Sequence, residues 1–240
     1  IRRLLAAYYG ACSFLDEQIG RVLHRLETLG LTDRTRVIYT SDHGEHLGAR
    51  GIYGKLSLYD ESAGVPMIAA GPDVPHGHAC HTPTSLIDLY PSIIESVGAR
   101  SYDDDAGLPG RSLWAIANNA DAQRTVLSEY HAVASKHGSY MLRDERFKYN
   151  HYVGATPQLF DMRSDPQELR DLAGDPAHAE QLKACEQRLR QILDPDEVDD
   201  MARADQAARV EALGGEAAIR QRGAFDNSPA PGEAPAFRLH

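Results

Sequence analysis

Thr40-Ser41-Asp42-His43-Gly44-Glu45-His46-Leu47-Gly48-Ala49-Arg50-Gly51-Ile52-Tyr53-Gly54-Lys55 follows an apolar, β-branched run, Arg36-Val37-Ile38-Tyr39-Thr40. That run reads as a buried strand, which puts Asp42 and His43 at its C-terminal end, where open α/β sheets place their ligands. A carboxylate beside an imidazole presents an oxygen and a nitrogen to one cation. The glycines let the backbone pass close by, and Lys55 adds a mobile positive charge. Together these residues suggest a metal-assisted site for an anionic ester. Asp-His-Gly by itself is also ordinary turn chemistry, with Asp capping and Gly supplying positive φ, so the longer string has to separate the two readings.

Working outward from that loop, Leu4, Tyr8, Cys12, Leu15, Ile19, Val22, Leu26 and Leu29 recur at intervals of three and four. They predict a helix already running at residue 4 and closed by Gly30. Beyond Lys55, residues 57–63 read as a short helix and 65–71 as a second buried strand opened by Pro66. Residues 85–98 read as a helix with Asp88 capping, Leu89, Ile93, Ile94 and Val97 inward, and Gly98 as its stop. His76, His78, Cys80 and His81 are four potential metal ligands in six residues, but no second ligand pair accompanies them, and a surface loop is expected. Asp103, Asp104 and Asp105 lack EF-hand spacing and read as a solvated loop.

From about residue 120 the pattern turns to short strands in succession, over 125–130, 139–143, 147–152 and 158–162, which predicts a small antiparallel sheet. Asp175-Pro176 starts a helix whose Leu182, Cys185, Leu189 and Ile192 form one apolar stripe able to cover that sheet. Asp194 and Glu197 open a further helix, residues 195–213 and 216–222 are rich in Ala, Arg and Glu, and Pro229, Pro231 and Pro235 mark a mobile tail.

Ser41-Asp42-His43-Gly44-Glu45 with Gly48, Gly51, Lys55, Glu61-Ser62-Ala63 and Val65-Pro66 resembles the sulfatase family of the alkaline phosphatase superfamily. The Gly51-Ile52-Tyr53-Gly54-Lys55 spacing looks most like the branch of choline-sulfatase-like enzymes and phosphonate monoester hydrolases. Tyr8-Tyr9 with Asp16 to Gly20 is similar to a family helix that lies mid-chain. Ser128-Glu129-Tyr130-His131, Arg146-Phe147-Lys148-Tyr149, Gln158-Leu159-Phe160-Asp161 and Asp165-Pro166-Gln167-Glu168 are similar to the family's C-terminal portion. The resemblance implies an α/β sandwich of the alkaline-phosphatase type, represented by its C-terminal half, with a small C-terminal α+β subdomain. The expected divisions are 1–119 for the α/β part, 120–193 for the sheet-and-helix subdomain, 194–222 for a helical extension and 223–240 for a flexible tail. It also implies that Asp42 and His43 ligate one divalent metal and that Lys55 contacts the ester's anionic oxygens or leaving group. Calcium is the family's usual metal, with manganese or zinc as alternatives because His43 offers a nitrogen. Family members have an acidic or His residue where this chain has Ala49-Arg50, and no catalytic role is assigned there.

The family nucleophile is a formylglycine made from the first residue of a Cys/Ser-x-Pro-x-Arg motif. No such motif occurs in the 240 residues, so a formylglycine is expected upstream of them. His131 and His137, near strand ends, are candidates to touch substrate. The expected function is hydrolysis of a small-molecule or sugar sulfate ester. A phosphonate monoester or phosphodiester hydrolase on the same scaffold is the alternative, and a non-catalytic fragment that braces another subunit is a third reading. A net charge of -10 argues against nucleic-acid and anionic-membrane partners, because no basic face is available for phosphates. No run of 18 apolar residues is present to span a bilayer. The 42% apolar content supports a packed core, and the C-terminal helices and tail could hold a homo-oligomer.

Overall fold

A computed structural model describes residues 1–118, 123–225 and 237–238. The expected division at residue 119/120 and most of the expected tail lie outside these. The first element, α1 (Arg2–Thr28), ends in a Schellman motif: Leu31 N–H donates to Leu26 C=O and Gly30 N–H to Glu27 C=O, with Gly30 at φ 64°. Strand β1 (Val37–Thr40) leads into the loop of the opening stretch, and α2 (Asp60–Ala63) follows it. Strand β2 (Met67–Ala70) then pairs antiparallel with β1, in register Val37↔Ala70 to Thr40↔Met67.

After β2 come α3 (Leu89–Ser96), entered through a one-turn 3-10 segment with a Ser85/Asp88 capping box, and α4 (Leu113–Ala117). Four strands make the second sheet in meander order: β3 (Val126–Tyr130), β4 (Ser139–Arg143), β5 (Phe147–Tyr152) and β6 (Gln158–Asp161). All of its pairs are antiparallel, as expected. The β4–β5 turn lacks glycine, and Asp144 compensates: its Oδ1 accepts from Arg146 N–H at 2.8 Å and Phe147 N–H at 2.6 Å. Helices α5 (Ala179–Ile192), α6 (Pro195–Ala212) and α7 (Gly215–Arg222) follow, with Asp175 and Asp194 as side-chain caps for the first two. Two-residue strands β7 (Ala224–Phe225) and β8 (Phe237–Arg238) pair with each other.

The core lies between the second sheet and α5. Leu142, Tyr149 and Leu159 share one sheet face by register and meet Cys185 and Leu189, with Tyr140 and Leu172 beside them. Each such large side chain removed from water contributes about 1.5–3 kcal/mol. The opposite face carries Ser128, Met141, Arg143, Lys148, Asn150 and Phe160 and looks toward α2: Phe160 packs on Tyr59, and Gln158 Nε2 donates to Tyr59 Oη at 2.9 Å.

Several expected inward residues do not face a core. The stripe on α1 is largely exposed and none of its residues is fully buried. Strands β1 and β2 are half-buried where buried strands were expected, with Ile68 59% exposed. On α3 it is Ser92 that is buried, while Ile93 and Val97 face solvent, and on α5 Ile192 does too. The physical reason is common to all: periodicity marks an apolar face, but no described element lies against these faces.

Candidate active site

The loop after β1 is held by backbone hydrogen bonds from both directions. Gly44 N–H donates to Ser62 C=O at 2.8 Å and His46 N–H to Gly54 C=O at 2.9 Å. Glu45 fastens the middle, its Oε1 accepting from Leu47 N–H at 3.0 Å and Gly54 N–H at 2.7 Å. Those two N–H donors, Leu47 first, hold the Glu45 carboxyl below the usual carboxylate range. A depressed folded-state pKa contributes stability that is present above the unfolded value and lost as pH falls through the folded one. Glu45→Gln is therefore expected to destabilise the chain at pH 7, with the two melting curves converging only as the pH falls below the usual carboxylate range. A difference that persists at low pH would mean the carboxylate's charge is not what holds the loop.

Gly44 is required by space rather than by φ. A Cβ there would sit 2.2 Å from Glu61 C=O oxygen and 3.1 Å from Gly64 C=O oxygen, both backbone atoms that cannot swing away. Gly44→Ala is expected to cost about 1–3 kcal/mol in urea denaturation, because the loop must leave its seat on α2.

This framework brings the three expected site residues together. His43 Nδ1 lies 2.8 Å from Gly44 C=O, and a carbonyl only accepts, so Nδ1 carries the proton of the neutral ring. Nε2 is then the acceptor facing Lys55 Nζ at 2.5 Å, with Asp42 Oδ2 at 3.4 Å. Asp42 is exposed. Desolvation pushes its carboxyl up, but hydrogen bonds from the His43 N–H, 3.0 Å from Oδ1, and from Ser41 Oγ help to hold it below the ordinary value. Ser62 Oγ donates to the Lys55 C=O and fixes the backbone from which the lysine springs.

All three line one cleft of ≈ 840 Å³, whose far wall is the α2-facing side of β3 and β4 and whose flank is residues 81–87. His81, from the four-ligand cluster, is on that flank. His131 and His137 do not line the cleft. His131 sits edge-on to Tyr140, with Glu129 Oε2 3.4 Å from Nε2. His137 Nδ1 meets the buried Asp199 of α6 at 3.0 Å, tying that helix to the turn before β4. Among the described residues no group of three or more His, Cys, Asp or Glu side chains forms a metal cage, and Asp42 and His43 remain a pair. As a donor set, that pair fits a divalent cation: an exposed carboxylate oxygen beside an imidazole whose outer nitrogen is unprotonated and whose inner nitrogen is fixed by a carbonyl.

Arg50, for which the sequence pattern indicates no role, braces the loop. At φ 55° its guanidinium stacks on the Tyr59 ring, 3.9 Å from the centroid, while Nη1 donates to Glu168 C=O at 3.0 Å and Nη2 to Gln167 C=O. Beside it Lys148, wholly buried on β5, bridges Asp60 Oδ1 at 2.6 Å and Glu168 Oε1 at 2.8 Å. The second Glu168 oxygen accepts the Asp60 N–H at 2.7 Å, so the turn after β6 caps α2.

A mixed α/β chain that gathers a carboxylate, an imidazole and an ammonium at one cleft has the form of an ester-hydrolase centre. The sequence pattern of the Sulfatase family matches residues 2–99, and the chain belongs to the sulfatase/alkaline-phosphatase superfamily. It is 33% identical over 204 residues to arylsulfatase K of Xenopus laevis, covering 81% of this chain and 38% of that protein. It is 35% identical over 176 residues to choline-sulfatase of Rhizobium meliloti (strain 1021), covering 73% of this chain and 34% of the relative. The phosphonate monoester hydrolase of Silicibacter pomeroyi superposes with a TM-score of 0.64 at 31% identity, covering 73% of this chain and 38% of that one. The chain thus spans well under half the length of each of these relatives. No helix among the described residues is long and apolar enough to cross a membrane.

Proposed function

We propose that these residues supply the metal-ligating pair and the anion-contacting lysine of a sulfuric ester hydrolase of the choline-sulfatase-like branch. The observation that carries this is the convergence of Lys55 Nζ and Asp42 Oδ2 on the unprotonated Nε2 of His43, with Nδ1 locked by Gly44 C=O. Asp42 and His43 would hold one divalent ion, calcium first and manganese or zinc as alternatives. When bound, that ion would supply Lewis-acid polarisation of the ester. Lys55 places its ammonium against the anionic oxygens or the departing alkoxide, where a positive charge counts most as negative charge develops. Its fixed backbone keeps that ammonium at the cleft mouth. No Cys/Ser-x-Pro-x-Arg motif lies in these 240 residues, so the nucleophile, a formylglycine in this reading, is contributed by other sequence. The substrates would be sulfate esters of sugars or small alcohols.

The second reading is a phosphonate monoester hydrolase, favoured by the structural match to that enzyme at 31% identity. Both ester classes present one negative charge at the reacting centre, which the same cation and lysine can serve. The test is turnover of an aryl sulfate and of an aryl phosphonate monoester by the native protein that carries this chain. Lys55→Ala is expected to lower aryl sulfate turnover by about 10²–10³-fold, the scale of one lost oxyanion-type donor. A preference for the phosphonate ester would install the second reading. Turnover indifferent to Lys55 would leave only a bracing, non-catalytic role.

A further inference from the structure

Arg143 ends β4 on the cleft side of the sheet, its backbone opposite Lys148 and Val126. Its side chain lines the same cleft as Asp42, His43 and Lys55. Four arginines around the second sheet are neutralised: Arg124 by Asp88, Arg146 by Asp161, Arg163 by Glu145 and Arg190 by Glu186. Arg143 has no hydrogen-bond or ion-pair partner among the described residues, and its Nη1 is buried and unpaired. In a chain with 35 acidic against 25 basic residues, a partner would be easy to supply. Leaving a buried donor unpaired costs about 1–3 kcal/mol, so an arginine held this way calls for a counter-anion that none of the described residues supplies. Asp144, next in sequence, is spent on the hairpin turn, and Lys148 is spent on Asp60 and Glu168. The cleft lining also includes apolar side chains, Leu56, Met67, Val126 and Met141 among them, as suits the body of an alcohol.

We propose that Arg143 is a second anion-binding point of the cleft, so that the preferred ester carries another negatively charged group, a sulfate or a carboxylate, on its alcohol portion. This rests on the reading of Lys55 as the contact for the reacting anion. The guanidinium is the suitable group, since its planar fork can donate two parallel bonds to either kind of oxyanion, where an ammonium offers a point charge.

The experiment is calorimetric binding of a hexosamine 6-O-sulfate and a hexosamine 2-N,6-O-disulfate to the native protein carrying this chain, at one fixed ionic strength. The wild type is compared with Arg143→Met, Arg143→Lys and Lys55→Met. The expected result is a preference of about tenfold or more for the disulfate, lost in Arg143→Met and partly kept in Arg143→Lys, while monosulfate affinity is unchanged by either. Retention of the preference in Arg143→Met, no preference in the wild type, or equal weakening of both ligands in Arg143→Met would each overturn the proposal. If Arg143→Met does not fold, Arg143→Lys decides: a preference undiminished there overturns it. Lys55→Met separates the two levels, because loss of monosulfate binding keeps the site reading while Arg143 is judged, and unchanged monosulfate binding removes both.

Discussion

Lys148→Ala is expected to destabilise the chain by about 3–5 kcal/mol, read as a fall in the urea midpoint at constant m-value. The cost arises from what remains. Glu168, with a side chain 1% exposed, keeps a buried carboxylate whose remaining cation, Arg50, stands 4.0 Å from its other oxygen, whereas Asp60, 46% exposed, can turn to water. Replacing both partners with apolar residues, Lys148→Met with Glu168→Leu, should recover much of the loss, because the penalty belongs to the orphaned charge more than to the missing attraction. A single substitution that costs less than about 1 kcal/mol would mean that water reaches Glu168. The change should also loosen the site: Glu168 caps α2 through the Asp60 N–H, and α2 carries the Ser62 carbonyl on which Gly44 is seated.

The second large effect is expected for Asp88→Ala. Asp88 is fully buried and accepts four hydrogen-bond donors: Arg124 Nη1 at 2.8 Å, Arg124 Nη2 at 2.6 Å, Ser85 N–H at 2.7 Å and Arg111 N–H at 2.9 Å. Its removal leaves Arg124 almost buried without a counter-ion, at a cost again of about 3–5 kcal/mol. Asp88→Asn keeps the shape and two acceptor lone pairs but no charge, so it should fall between wild type and alanine. Equal losses in both variants would place the whole effect in the lost charge, whereas an asparagine variant as stable as wild type would take the ion pair out of the explanation. Residues 83–87, which this pair anchors, form the cleft flank, so the substitution should also alter ligand binding there.

Much of this was readable from sequence. The four strands of the second sheet fall within a residue of their expected bounds because each is a short run between polar turns, a pattern that depends only on local chain geometry. The grouping of Asp42, His43 and Lys55 was readable because the loop that gathers them is itself short and glycine-rich. The burial of α1 and of β1 and β2 was not readable. An apolar stripe records that a face prefers cover, and carries no information about which element provides it. The clamps were invisible for a different reason. Arg50 with Gln167 and Lys148 with Asp60 are separated by 117 and 88 residues, and a single charged side chain far along the chain leaves no periodic trace. Arg143 read as an ordinary strand end for the same reason.

The bracing of the Asp42–Lys55 loop by Gln167, Glu168 and Lys148 also bears on how such a protein can change. A small sheet with its own core looks exchangeable, as though one relative's sheet could be grafted beneath another's catalytic loop. Here the graft would sever Arg50 from two carbonyls and strip α2 of its cap. Residues 50, 60, 148 and 168 must therefore be inherited, or transplanted, as one unit. A chimera that swaps the sheet without them would carry a well-packed subdomain beneath a displaced site.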